Sequence, residues 1–154
     1  MNFNDLAKLV GTVSIQFESL SAMLSGFVSS LINKDSKIGT IVCSEMSFPQ
    51  NMRMFKLLMN HSFEHKRSEV EQILKSLKLS NESRNSVVHA LYHNTADNPA
   101  FQKTKISAKE RNGVAYKKTT LEVNELSDVI DQINATMLKL NTLHEELFGR
   151  VPKL

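Results

Sequence analysis

Apolar residues recur along this chain at two periods, and the longer runs carry the period of helices. From residue 4 to about 32, Leu6, Val10, Val13, Phe17, Leu20, Leu24, Phe27 and Leu31 alternate spacings of four and three, a stripe that predicts one long amphipathic helix. Leu9, Met23 and Val28 widen the stripe, as expected for a helix that packs on more than one neighbour. Residues 37 to 48 carry a shorter helical pattern in Ile38, Ile41, Val42 and Met46. Ser47-Phe48-Pro49 then supplies a cap and a first-turn proline for a helix running to about His61. A further amphipathic segment from about Glu64 to Leu79 sets Val70, Ile73, Leu74 and Leu77 on one face. Ser80-Asn81-Glu82 reads as a cap or a kink, so one helix or two remain open there; Val87, Val88 and Leu91 carry helical spacing on to about His93.

The period then changes. Asn94 to Pro99 is rich in turn formers, and the segments 101–107 and 114–121 alternate Lys, Thr, Ile and Tyr around Asn112-Gly113, which predicts a small β-hairpin. Asn124 is the expected cap of a last helix whose Leu126, Ile130, Ile133, Met137, Leu140 and Leu147 return to three-four spacing, closed by Gly149 and Pro152. The fold class that follows is all-α. It is an antiparallel helical bundle with two long helices at the termini and a β-hairpin inserted before the last helix, forming one domain over residues 1–154.

Composition narrows this reading. With 154 residues, 41% hydrophobic, one continuous core can be filled, and 23% charged residues argue against disorder. Five Gly, three Pro and no Trp leave little turn chemistry for an all-β chain. Asn2, Asp5 and Lys8 interrupt the first helix, so neither a signal peptide nor a membrane span is expected, and the expected compartment is the cytoplasm. The single Cys43 can form no internal disulfide and reads as a small core residue. A net charge of +3 permits an anionic partner without requiring one. Hydrolase elbows, glycine-rich phosphate loops and dinucleotide fingerprints are absent from the sequence.

The chemistry concentrates in Arg84-Asn85-Ser86-Val87-Val88-His89. On a continuous helix Asn85 and His89 share a face, with Tyr92 and His93 one turn further on as auxiliary groups and Arg84 reaching in from the side. Guanidinium grips phosphate at two points and imidazole moves protons near neutrality, so the set suits phosphate chemistry without a metal. The plainer alternative pairs Arg84 with Glu82 or Glu125 and leaves His89 as an ordinary surface residue. His89 with His93, and His61 with His65, have the i, i+4 spacing of helical metal ligands, but no third ligand accompanies either pair, and no metal is assigned. The hairpin adds Lys103, Lys105, Lys109, Arg111, Lys117 and Lys118 against the single acid Glu110, with Phe101 and Tyr116 interleaved. These suit an RNA backbone with stacked bases, or else lysines that discourage edge pairing.

Arg84, Asn85 and His89 in the order Arg-Asn-x-x-x-His resemble the signature of the HEPN superfamily (higher eukaryotes and prokaryotes nucleotide-binding domains). The long first helix, the basic hairpin and the stretch from Thr120 to Leu126 before the last helix are similar to bacterial members. The resemblance implies a homodimer in which two motif helices meet across a two-fold axis to build a metal-independent endoribonuclease site that uses no cofactor. In it His89 would assist proton transfer during attack of the ribose 2′-hydroxyl, Arg84 would stabilise the phosphate and Asn85 would orient both. It also implies a toxin or phage-defence role, RNA as substrate, an antitoxin or regulatory protein as further partner, and no membrane. Other members are catalytically silent nucleotide- or protein-binding modules, which is the alternative function. Some toxin members carry a modified tyrosine two residues after the histidine; that position here is Leu91, with Tyr92 one later, and Ala90 stands where related sequences commonly have glycine.

Overall fold

Residues 2–33, 36–95, 98–109 and 113–149 are described by a computed structural model of the chain. The stripe read from the sequence becomes α1, Phe3–Ile32, begun by a capping box in which Asn2 Oδ1 accepts from the Asp5 N–H at 2.9 Å and Asp5 accepts in return from the Asn2 N–H. Of that stripe, Leu6, Val13, Phe17, Leu20, Leu24 and Phe27 are buried, and α1 packs against all four other helices. α1 is also, among the described residues, the one helix long and apolar enough to cross a membrane, with a mean hydropathy of 1.2 in its most apolar window.

The helix α2, Ser36–Ser44, stops short of the residue 48 expected from its pattern. It lies so close on α1 that a Cβ on Gly39 would meet the Ser29 hydroxyl and sit 2.5 Å from the Ser29 carbonyl oxygen. At the start of α3, Phe48–Ser62, Gln50 Oε1 accepts from the Ser47 N–H at 2.7 Å, so Ser47 and Pro49 open this helix as their chemistry predicts. A short 3₁₀ turn, Glu64–Lys66, leads into α4, Arg67–Val88.

One helix therefore covers the stretch where the sequence left one or two open. Ser80 neither caps nor kinks it: fully buried, its hydroxyl meets Thr136 Oγ1 at 3.1 Å across to the last helix, and this removes the competition for backbone groups that makes serine a helix breaker. The helix does not reach His93 as expected. It ends at Val88, and Leu91–Thr95 forms a strand, β1, which pairs antiparallel with β2, Asn98–Lys109. With β3, Gly113–Thr120, the expected hairpin becomes a three-stranded antiparallel sheet in the order β1-β2-β3. Thr95↔Asn98 and Lys109↔Gly113 close its two connections. Residues 96–97 and 110–112, with the Asn112 turn signal and Arg111, lie outside the described residues, as does Pro152.

The last helix, α5, spans Val123–Phe148, so Glu122 and not Asn124 holds the cap position; Gly149, at φ 80, ends it. Its buried residues include Leu126, Ile133, Leu140 and Leu143. Phe27 and Ser30 of α1 meet His144 near the end of α5, while Phe3 meets Phe101, whose carbonyl accepts from Leu121 just before α5. The two terminal helices therefore pair running in the same direction, not antiparallel. Ser76 with Lys139 and Ser83 with Gln132 show α4 running against α5, and Lys66, held by Glu69 and Glu146, ties the start of α4 to the end of α5.

Candidate functional site

The hexapeptide straddles the end of α4. Val87 is buried and anchors the last turn, while His89, at the C-cap with φ −98 and ψ 14, donates its backbone N–H to the Asn85 carbonyl at 3.3 Å. The chain then turns through Ala90 into β1, and there Tyr92 donates its hydroxyl to the Val87 carbonyl at 2.7 Å. The Val87 carbonyl, which also accepts the Ala90 N–H at 3.4 Å, is thereby tied to the strand, and the bond fixes the angle between α4 and the sheet. Burial, with the negative Glu125 nearby, pushes the Tyr92 phenol up to about 12, so it remains a donor at any physiological pH.

Three side chains of the motif converge on this corner. Arg84 Nη1 donates to Asn85 Oδ1 at 3.0 Å and lies 3.4 Å from His89 Nε2. A guanidinium has no acceptor, so the second contact is attractive only with the lone pair of the neutral imidazole on Nε2. The face of Arg84 rests on Phe17 of α1, 5.3 Å from the ring centroid, and its Nη2 lies 3.7 Å from the mostly exposed Glu18 carboxylate. Arg84 Nε is buried without a hydrogen-bond partner among the described residues. The arginine is thus placed by α1 from below, and its Nη edge points to His89.

The plainer pairing of Arg84 with Glu82 or Glu125 is not what forms. Glu82 sits near Lys78 at 3.9 Å and Glu125 pairs with Lys103, while the counter-charge of Arg84 is Glu18, 66 residues away in sequence. Nothing local in the sequence marks Glu18 or Phe17 as site residues; only the stripe that buries Phe17 hints that its neighbour flanks the core.

The auxiliary residues fall elsewhere than expected. Because α4 ends at Val88, Tyr92 and His93 share no helix face with His89, and His89 and His93 lose the i, i+4 spacing of helical metal ligands. Tyr92 pairs with Lys103 and His93 with Gln102, so strand alternation sends them to opposite faces of the sheet. His61 lies in the last turn of α3 and His65 in the 3₁₀ turn, again off a common helix; among the described residues no three His, Cys, Asp or Glu side chains gather as a metal set.

The lysines divide. Lys103 is buried and its ammonium is committed to Glu125. Lys105 and Lys117 are exposed, stand directly opposite each other, and with Ser86, Lys103, Thr119 and Glu125 line a concavity of about 370 Å³ between the end of α4, the sheet and the start of α5. Lys118 pairs with Thr104 on the other face of the sheet, beside the exposed Tyr116. Phe101 is buried near Phe3, with ring centroids 6.5 Å apart, and so offers no stacking surface. Ser86 is the residue that joins the motif to the lysines.

Compared with known proteins, the chain matches no family model, and neither a curated protein nor a solved structure is similar to it.

Proposed function

We propose that the chain is a metal-independent endoribonuclease of HEPN type, working in the cytoplasm as a homodimer of helical bundles and serving as a toxin or phage-defence component. The observation that carries this reading is the position of Arg84 Nη1 between Asn85 Oδ1 and His89 Nε2 on an exposed corner of the fold. Once Arg84 Nη1 turns from Nε2 to an incoming phosphate, the lone pair it releases on Nε2 can accept the proton of a ribose 2′-hydroxyl. The 2′-oxygen then attacks the adjacent phosphorus, and the bond from phosphorus to the 5′-oxygen breaks to leave a 2′,3′-cyclic phosphate and a 5′-hydroxyl. Arg84 would carry the negative charge that grows on the phosphoryl oxygens, and Asn85 would keep the guanidinium in register. The leaving 5′-oxygen needs a proton donor, which the second copy's histidine supplies if two such corners meet across a two-fold axis.

The test is incubation of purified protein with mixed RNA in excess chelator, comparing wild type with His89→Ala. Cleavage by wild type alone, giving cyclic phosphate ends, is the expected result. RNA left intact by both would favour the second reading, a silent module that binds nucleotide or protein. One observation speaks for that second reading: Glu18 already stands beside Arg84 at 3.7 Å.

A further inference from the structure

We propose that the concavity between α4 and the sheet holds a phosphodiester of the RNA strand next to the one being cut; this rests on the nuclease reading above. The first argument is an unfavourable arrangement. Lys105 and Lys117 are directly opposed across β2 and β3, which puts two ammonium-bearing side chains on one face at neighbouring positions, and like charges so placed destabilise a sheet. Neither has an acid partner among the described residues, because Glu125, the one acid in the lining, is taken by Lys103. Guarding an edge would account for Lys117 on β3, but Lys105 stands on the central strand β2, which has no free edge to guard. Two lysines facing each other inside a concavity are instead an arrangement that an anion would relieve.

The second argument is the rest of the lining. Ser86 and Thr119 line the same concavity as the two lysines, and neither hydroxyl has a hydrogen-bond partner among the described residues. Two cations with two free O–H donors suit the oxygens of a phosphodiester, and the three lysines exceed the one acid by two charges. The third argument is position. Ser86 lies three residues before His89, about 4.5 Å along the α4 axis and close to it around the helix, whereas Arg84, two residues before Ser86, faces α1; the groove therefore adjoins the His89 side of the reacting corner. Tyr92, bonded to Val87 and paired with Lys103, fixes the sheet and the motif in one relative orientation. A strand lying in the groove would therefore run past His89, and its next phosphate would lie across the end of α4 within reach of the long Arg84 side chain.

The experiment uses the full chain and a fluorescent 2′-O-methyl oligoribonucleotide, which cannot be cut because its nucleophile is blocked, with affinity read by anisotropy over a salt series. Lys105→Gln with Lys117→Gln should weaken binding by roughly tenfold or more at low salt, and flatten the log–log salt slope by roughly 1.4, two contacts at about 0.7 each. The charge-preserving pair Lys105→Arg with Lys117→Arg should keep the slope. Without ligand the double glutamine variant should melt at or above the wild-type temperature, since it removes a repulsion; a lower Tm overturns the argument. Unchanged affinity and slope in the glutamine variant overturn it too, as does AMP competing as well as the oligomer, which would make the groove a mononucleotide pocket. RNA bound as described but left uncut by wild type would sink the nuclease reading and leave the groove standing.

Discussion

Glu18 is the residue through which the proposed site can be made faster by a single substitution. Its carboxylate lies 3.7 Å from Arg84 Nη2, and its side chain is 69% exposed against 22% for Arg84. At the dielectric constant of water two unit charges at that distance attract by about 1 kcal/mol, and measured exposed pairs give roughly 0.2–1 kcal/mol once side-chain entropy is counted. A phosphate arriving at Arg84 must displace or share this counter-charge. Glu18→Gln should therefore raise kcat/KM for RNA by roughly 1.4- to 5-fold at low ionic strength, the exponential of that same range. Phe17 still holds the guanidinium from its other side, so the arginine stays placed. The assay is single-turnover cleavage of end-labelled RNA in chelator. The ratio of variant to wild type should fall toward one as salt approaches 1 M, where the screening length of about 3 Å is shorter than the pair. A variant slower than wild type at low salt would refute the reasoning and make Glu18 a positioning residue for Arg84.

Three further predictions test the frame around the site. Gly39→Ala sets a Cβ against the Ser29 backbone, 2.5 Å from its carbonyl oxygen and 2.7 Å from its Cα, so α2 must lift off α1; thermal melting should show a loss of about 1–3 kcal/mol, and an unchanged Tm would contradict that close approach. Tyr92→Phe removes the 2.7 Å bond to the Val87 carbonyl and should lower stability by about 1 kcal/mol in urea titration, with cleavage falling as well because the turn that aims His89 loosens; full activity would show that the turn holds without the hydroxyl. Burial between α1 and α5, where His144 meets Phe27 edge-on at 5.0 Å and Ser30 at 3.4 Å, holds its imidazole below the usual value against the opposing pull of Glu145. The unfolded chain then binds the extra proton first, so this stability is present above about pH 6.5 and is lost as pH falls through that value toward the folded one; the drop in Tm from pH 7.5 to 5.5 should be shallower in His144→Gln than in wild type.

The sequence carried the helices best where burial is one-sided and long. The α1 stripe and the α5 stripe both survive position by position because each residue in them answers to the same core, and a periodic signal summed over seven turns outweighs local propensity. The end of α4 shows the same effect in reverse. Val87, Val88 and Leu91 keep helical spacing, but Val87 is buried in the core while Leu91 is 59% exposed on a strand, so the spacing at this point is coincidence. What ends the helix lies just beyond it, the Tyr92 hydroxyl on the Val87 carbonyl together with the pairing of β1 on β2, and neither leaves a mark within the helix. The relative direction of α1 and α5 is hidden likewise, because a stripe says which face is buried and not which way the neighbour runs.

The candidate site divides along the same line. Arg84, Asn85 and His89 are joined by contacts that span at most five residues, so sequence spacing could foretell them even with the helix end misplaced: a histidine at the C-cap still sits within reach of an arginine five residues earlier. Glu18, Phe17 and Thr119 come from other elements and nothing local marks them as site residues, while Glu125, legible only as a possible partner of Arg84, pairs with Lys103 instead. The early end of α4 is what makes the site composite. Had the helix run on to His93, Tyr92 would have stayed on it and the sheet would have had no fixed angle to the motif. Because the chain turns at His89 instead, the lysines of β2 and β3 are brought beside Ser86, and a motif that local spacing alone would leave as a bare Arg-His pair acquires a cationic wall along one side.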